Sequence, residues 1–476
     1  MCPTYSEAPR RCARERGMAI VAFVVSMVIL IPIVGLAIDG SVLFATKARL
    51  QAAVDGAALA GARALARGVD DATQTANAQA AAQSWVLLNF PNAYLFTSSL
   101  NVPTPTVTLS ASHQRSITVT ASVQSPALFE AFLGFGMTTV NASATVVRRD
   151  VNVMLVVDRS GSLQVSGSCG AVIQSATNFV QKFANGRDNV GLITFASSTY
   201  PDFPLGNTFQ SASPNIATIL SRISCAGSTS SAQALWQAYQ QLAALNEPGA
   251  LNAIVFFTDG QPTGVTVNMP ITASSPCSQH PTIRGTYNVF TDYSNVFGLL
   301  ADTGGPQPSA NGDIIAAPNS NGCTYMSGWS ANGAVPWSMV NPSDFSYLPA
   351  TDIWGNSLTG YMPTTTDASG NLDVHSASNG QAVTMNAADS AATRIRSGAV
   401  DAATGNSLAG VLIFSIGLGN AAIPVSPGFL QRVSNDPNSP AFDPTQPAGI
   451  YVAAPTAADL NTAFEAVASE IMRLAK

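Results

Sequence analysis

Residues 151–157 form an almost uncharged, β-branched run that ends in Asp158-Arg159-Ser160-Gly161-Ser162. Such a run reads as a strand buried on both faces, at the centre of a sheet. At its end the pattern changes at once to Asp-x-Ser-x-Ser. Alternate residues of a tight loop can converge on one point, so a carboxylate and two hydroxyls could share a centre. Taken alone, the pentapeptide is also ordinary turn chemistry. Two further stretches add to it. Gly227-Ser228-Thr229 stands just before a helical run that starts near Ala232, a place where Ser or Thr also serves as an N-cap. Residues 253–257 form a second buried run, followed by Thr258-Asp259-Gly260. Open α/β sheets bind their ligands at the carboxyl ends of strands, and hard divalent cations prefer oxygen ligands.

The chain around these motifs alternates strand and helix. Helices are expected over 172–184, 211–224 and 231–245, with strands over 189–195 and 253–258. From Gln261 to about Thr384 the pattern dissolves into Asn, Ser, Thr, Gly and Pro, with Trp329, Trp337 and Trp354 among them. A structureless loop of that length is abnormal inside a compact domain, so an inserted subdomain is expected, with a loosely ordered spacer as the alternative its composition allows. The alternation then resumes. A helix is expected over 386–403, a strand over 410–417 and a short helix over 429–434. An edge strand over 449–453 and a closing helix over 457–474 complete it. This order predicts an α/β fold with a doubly wound parallel sheet, wrapped around the insertion.

Residues 18–38 are apolar and carry no charge. As a helix they would span roughly 31 Å, enough to cross a bilayer. Pro32 is tolerable there. Arg10, Arg11, Arg14 and Arg16 precede the run, which predicts a cytoplasmic N-terminus at 1–17 and a single span with the rest of the chain outside. A cleaved signal peptide, with Gly35-Leu36-Ala37 as its site, is the competing reading; the length of the run favours a retained anchor. An Ala-rich helix is expected to continue over 40–68, and a second helix over 71–88. Gly56 with Ala60, or Ala57 with Gly61, gives it small-residue faces for close helix contact. Three alternating segments, 106–110, 116–123 and 138–147, predict a small antiparallel sheet packed on these helices. Arg148-Arg149-Asp150 marks the next boundary. The domains are therefore expected at 39–149 and 150–476, with the insertion at about 261–384.

Composition excludes some functions. The chain carries a formal charge of −6 although residues 1–38 are net basic, so its body is acidic and a poor candidate for nucleic-acid binding. His113, His280 and His375 are isolated, without zinc-type pairing, and no Gly-x-Ser-x-Gly elbow or phosphate loop occurs. Asp158 and Asp259 could form an acid–base pair, but among hydroxyls they fit cation coordination better.

Taken together, Asp158, Ser160, Ser162, Thr229 and Asp259 resemble the metal-ion-dependent adhesion site of von Willebrand factor A domains, at all five of its usual positions. The resemblance implies an A-type, Rossmann-like fold. It also implies a divalent cation, Mg²⁺ or else Mn²⁺ or Ca²⁺, whose shell is completed by a carboxylate of a protein partner. A second resemblance covers residues 10–150 in layout and 10–65 in detail. The arginines, the apolar span, Gly35-Leu-Ala-Ile-Asp39 and the run from Ala48 to Ala62 are similar to bacterial TadG-like proteins of the tight-adherence (Flp) pilus systems. Type IV prepilins carry a Glu five residues after their cleavage Gly; here the fifth residue after Gly17 is Ala22, in keeping with an uncut anchor.

The expected function is that of a non-enzymatic adhesion module. It would be anchored in the bacterial inner membrane with its C-terminal domain in the periplasm or on the cell exterior, bind pilus or envelope components, and serve pilus assembly or attachment. A metal-dependent hydrolase, or an envelope scaffold in which the metal only braces loops, are the alternatives. Cys2 and Cys12 are expected reduced on the cytoplasmic side. Cys169, Cys225, Cys277 and Cys323 fall outside, where disulfides persist. Four cysteines allow three pairings. The pairing expected is Cys169–Cys225, tying the loops of Ser162 and Thr229, with Cys277–Cys323 closing the insertion on itself.

Overall fold

The computed structural model describes residues 12–65, 71–110, 114–129, 136–197, 199–270, 282–289, 298–301, 335–336, 348–366, 370–372, 376–419 and 425–475, with isolated positions between them. They fall into two compact units, one formed by most of the chain up to Val147 and one by most of the chain from Arg148 onward. The three histidines, Cys277 and Cys323 lie outside the described residues, so the expected second disulfide does too.

In the first unit the apolar run and the Ala-rich run form a single helix, α1 (Cys12–Ala64). Pro32 lies inside it without ending it. The helix ends at Ala64, not at 68. Its apolar side chains between Ile20 and Ile38 are exposed: Ile20 is 65 % exposed and Val28 68 %, values that a soluble core would not leave. The second helix, α2 (Asp71–Asn89), follows. The sheet has four strands where three were expected: β1 (Ser98–Asn101), β2 (Thr106–Leu109), β3 (Gln114–Ser125) and β4 (Thr138–Arg149). β1, which pairs antiparallel with β3, has only four residues and no apolar alternation, so periodicity does not reveal it. Leu50, Val54 and Ala57 of α1, Ala78 and Ala82 of α2, and Ile117 and Val119 of β3 share one core. Small residues let the helices close on it. A Cβ at Gly61 would stand 2.4 Å from Ile117 Cδ1 and 3.1 Å from the Ala78 carbonyl, and one at Gly56 would meet the Trp85 indole. The small-residue faces are thus used within the unit.

The second unit begins with β5 (Val151–Asp158), buried at every position. The chain continues through α3 (Gly161–Val165), α4 (Cys169–Val180), β6 (Asn189–Phe195), β7 (Thr199–Gly206), α5 (Ile216–Leu220), α6 (Ser231–Leu245) and β8 (Leu251–Thr258). Next come β9 (Gly264–Pro270), β10 (Thr282–Asn288), β11 (Gly298–Ala301) and β12 (Val335–Pro336), an antiparallel sheet of its own. The fold closes with α7 (Ala377–Arg396), β13 (Leu412–Leu418), α8 (Pro427–Ser434), β14 (Tyr451–Ala454) and α9 (Leu460–Leu474).

The main sheet runs β14-β13-β8-β5-β6-β7, parallel except where the edge strand β7 pairs antiparallel with β6. Side chains of β5 alternate between two cores. Met154 and Val156 face α6, α7 and α8, whereas Val153, Leu155 and Val157 face α4, α5 and α9. This is the expected doubly wound α/β sheet with helices on both faces, and it explains why β5 and β8 show no polar alternation.

Several element boundaries differ from expectation, each for a local reason. The helix expected over 172–184 is α4, shifted three residues toward the N-terminus at its start and ending at Val180. The helix expected over 211–224 shrinks to the single turn and a half of α5. Asn215 caps its start, its side chain accepting the Thr218 N–H at 2.8 Å, and Cys225 beyond its end is committed to a disulfide. The helix expected over 386–403 is α7, which starts nine residues earlier and ends at Arg396. Its buried face holds Asn379 and Asn386, so it lacks the apolar period that marks a helix. β7 was not expected, because Pro201 and Pro204 interrupt it; proline is tolerated on an edge strand, and β7 is one.

Candidate functional site

β5 and β8 are neighbours, with Val157 level with Phe257. From β5 the chain moves to β6 on one side, and later returns to β8 on the other. Their carboxyl ends therefore lie at a topological switch point, the crevice where open α/β sheets hold ligands. Asp158 ends β5 and Asp259 follows β8; both are fully buried.

Asp158 is held by two donors. Its Oδ1 accepts the Ser160 N–H at 2.7 Å, an Asx turn, and its Oδ2 accepts the Thr258 hydroxyl at 2.5 Å. That turn leaves Ser160 extended, as the N-cap residue of α3. The two serine hydroxyls form a chain. Ser162 Oγ donates to Asp259 Oδ1 at 2.6 Å and stands 2.9 Å from Ser160 Oγ. A hydroxyl has one proton to give, so Ser160 donates to Ser162. The other oxygen of Asp259, Oδ2, is buried and has no hydrogen-bond partner. Buried polar atoms almost always have a partner, so this one calls for an explanation.

The carboxyls titrate accordingly. Burial raises Asp158 from 3.8 to about 6, against the hydrogen bonds of Ser160 and Thr258. Burial, and then the nearby Asp158 charge, raise Asp259 to about 7. Two acids are thus packed where each resists the charge of the other.

Thr229 reaches the site from the adjoining loop. Gly161 N–H donates to the Gly227 carbonyl at 2.9 Å and Ala226 N–H to the Arg159 carbonyl at 2.8 Å, so the two loops lie side by side. A Cβ at Gly161 would press on the Gly227 carbonyl at 3.3 Å, and Gly227 itself has φ +87°. The Cys169–Cys225 disulfide ties the same loops, with its Cα atoms 6.1 Å apart, as expected. Ser228 and Ser230 fasten the loop to Ser197, through the Ser197 hydroxyl at 2.9 Å and its carbonyl at 2.7 Å. No hydrogen bond joins the Thr229 hydroxyl to the other four residues. The structure therefore brings Asp158, Ser160, Ser162 and Asp259 into one network and sets Thr229 on the loop beside them.

Two residues of the site escaped the sequence reading. Thr258 bonds Asp158 directly, but a Thr at the end of a strand reads as β-propensity. Thr263 holds Thr229 on both sides: its hydroxyl accepts the Thr229 N–H at 2.9 Å, and its own N–H donates to the Thr229 carbonyl at 2.9 Å. The only signal would have been its place in the loop after Asp259. Next to it the Pro262 carbonyl accepts the hydroxyl of Thr384 at 2.7 Å, so α7 braces this loop.

The donor set suits a hard divalent cation. It offers two carboxylates and three hydroxyls, with one carboxylate oxygen unpaired. Among the described residues no three His, Cys, Asp or Glu gather at one point, so the set is distinguished by its hydroxyls.

Comparison with known families finds a match in each of two stretches of the chain. Residues 152–283 match the von Willebrand factor type A domain, and residues 17–64 match the Tad family, described as Flp pilus-assembly TadE/G-like. No curated protein matches the chain. Solved structures align at low identity. The pilus adhesin SpaC from Lactobacillus rhamnosus GG is 16% identical over 79% of this chain, with a TM-score of 0.37. This chain spans only 35% of SpaC. The vWF domain of the type V pili tip protein Mfa5 from Porphyromonas gingivalis is 14% identical, over 70% of this chain and 98% of that one, with a TM-score of 0.38. The PilB minor pilin from Streptococcus sanguinis is 13% identical, over 79% of each chain, with a TM-score of 0.35. The chain thus joins a TadE/G-like N-terminal segment to a von Willebrand factor type A domain.

Proposed function

We propose that this protein is a membrane-anchored protein-binding module that captures its partner through a divalent cation, in the service of Flp pilus assembly or surface attachment. The observation that carries the reading is the unpaired, buried Oδ2 of Asp259, beside a second buried carboxylate. A site built for protons alone would not leave that oxygen bare; a cation answers both the bare atom and the repulsion between the acids. Ser160, Ser162 and Thr229 would hold the ion as neutral ligands, with Asp158 and Asp259 binding it or its waters. Mg²⁺ suits this set, since it dehydrates reluctantly and keeps waters in its shell. A cation held mainly by neutral groups keeps unsatisfied charge, and a partner carboxylate can satisfy it.

The rest of the reading has separate support. The exposed apolar stretch of α1 supports a membrane span over 18–38 with residues 1–17 in the cytoplasm. The Cys169–Cys225 disulfide supports an oxidising compartment for the A-type domain. The TadE/G-like match supports pilus or envelope proteins as partners. The boundaries that follow are 39–149 for the membrane-proximal unit and 150–476 for the A-type domain.

Vesicles bearing the full-length protein should capture purified Flp pilus filaments from the same bacterium in Mg²⁺. Capture should be lost in chelator and restored by Mg²⁺ or Mn²⁺. Capture that is indifferent to chelator would refute cation dependence.

A further inference from the structure

Beside the exposed apolar stretch of α1 lies a second apolar feature of the same unit. Residues 127–137 read Ala-Leu-Phe-Glu-Ala-Phe-Leu-Gly-Phe-Gly-Met, with one charge in the segment. Its start is fixed by a single carboxylate. Asp39 of α1 is buried; its Oδ1 accepts the Leu128 N–H at 3.0 Å and its Oδ2 accepts the Phe129 N–H at 2.9 Å. Hydrogen bonds to an ionised carboxylate are among the stronger ones, and a buried charge persists only where it is so satisfied.

This clamp lays Phe129 on α1 at Gly35. A Cβ there would stand 2.7 Å from Phe129 Cβ, so a side chain at position 35 would push the ring off the helix. Gly35 lies three residues inside the end of the apolar run, roughly 4.5 Å along a helix. That is the depth of the boundary between headgroups and acyl chains for a span ending at Ile38. Yet the side chains held there are not enclosed. Phe129 is 40 % exposed and Leu128 37 %, and Met137, at the far end of the segment, is 52 % exposed. The clamp therefore holds open apolar side chains at the mouth of the apolar helix, continuous with its exposed surface.

We infer that Leu128, Phe129 and Met137 form a second membrane contact. They enter the outer boundary of the bilayer beside α1, and Asp39 is the positioning residue that sets the depth of Leu128 and Phe129. The inference rests on the reading of 18–38 as a membrane span. The partner is the lipid itself, engaged through apolar area as interfacial segments are. The segment carries no basic residue, so the contact does not depend on anionic headgroups. Two points of attachment would fix the tilt and rotation of the span, which its length alone leaves free.

The test uses the full-length protein in vesicles of phosphatidylcholine. The photoreactive residue benzoyl-phenylalanine replaces, in separate samples, Phe129, Met137, Ile29 within the span, and Val165 of the A-type domain. Irradiation should attach lipid at positions 29, 129 and 137 and not at 165. Asp39→Ala should lower lipid attachment at 129 several-fold while leaving position 29 unchanged. Attachment at 29 with none at 129 or 137 would overturn the second contact and leave the span standing. No attachment at 29 would overturn the span and the contact with it. Adducts between two copies of the chain at 129, in place of lipid, would assign this surface to self-association and overturn the lipid contact.

Discussion

Asp158 and Asp259 are the residues on which the account depends, and their titration gives a prediction. Both have folded-state values raised above 3.8, Asp259 to about 7. Between these values the folded domain holds more protons than the unfolded chain, so its stability falls as pH rises through that window. In chelator the melting temperature of the full-length protein should fall from about pH 4 to about pH 7, and level off above. Asp202 and Asp352, each raised to about 6 by burial, share in the fall, so Asp259→Asn should lessen it without removing it, and Mg²⁺ should oppose it in the wild type. An identical slope in Asp259→Asn would show that the pair does not govern the pH response. The four residues that share one network, Asp158, Ser160, Ser162 and Asp259, were legible in the sequence, because the first and last stand at strand ends and the serines follow at alternate positions, Ser160 as the N-cap residue of α3 and Ser162 in its first turn. The hydrogen-bond chain from Ser160 through Ser162 to Asp259 was not. It depends on the register of β5 with β8 and on the side-by-side loops at Gly161 and Gly227, neither of which leaves a local signal.

Among elements, those whose burial follows apolar period were legible and those that bury polar groups were not. β5, β6 and α6 fall where they were expected. α7 does not, because Asn386 takes a place that a Leu would usually hold. Its side chain donates to the Leu358 and Met362 carbonyls, each at 3.0 Å, and accepts the Met362 N–H at 2.5 Å. The helix thereby fastens the chain at 358–362 to the main body. Asn386→Ala strands all three backbone groups and is expected to destabilise the domain by about 2–4 kcal/mol. Denaturant unfolding of the full-length protein measures it; a change below about 0.5 kcal/mol, ordinary for a surface site, would contradict the role given to Asn386. β7 and β1 were missed for a related reason: proline in one and shortness in the other remove the alternation that a reader of sequence follows.

For the whole molecule, the chain places an apolar helix and a small α+β unit ahead of an A-type domain that carries the proposed cation site. The order was legible because an apolar run of 21 residues and a sheet of buried strands each leave a strong compositional signal. The extent of α1 was less so, since Ala-rich sequence continues the helix without marking where it stops. The mature protein is expected to retain residues 18–38; intact-mass analysis of protein purified from membranes checks this, and a mature N-terminus near Ile38 would mean a secreted protein instead. The claim that joins the halves is that the A-type domain binds a divalent cation through Asp158, Ser160, Ser162, Thr229 and Asp259. Its most direct measurement is calorimetric titration of Mg²⁺ and Mn²⁺ into the full-length protein and into Asp158→Ala, with circular dichroism to follow folding. The account predicts uptake of one cation by the wild type and none by a folded Asp158→Ala; in the cation-free form, relief of the repulsion between two crowded carboxylates offsets part of the loss of the bonds to the Ser160 N–H and the Thr258 hydroxyl. Equal uptake by a folded Asp158→Ala would contradict it and reduce the Asp-x-Ser-x-Ser loop to a polar turn.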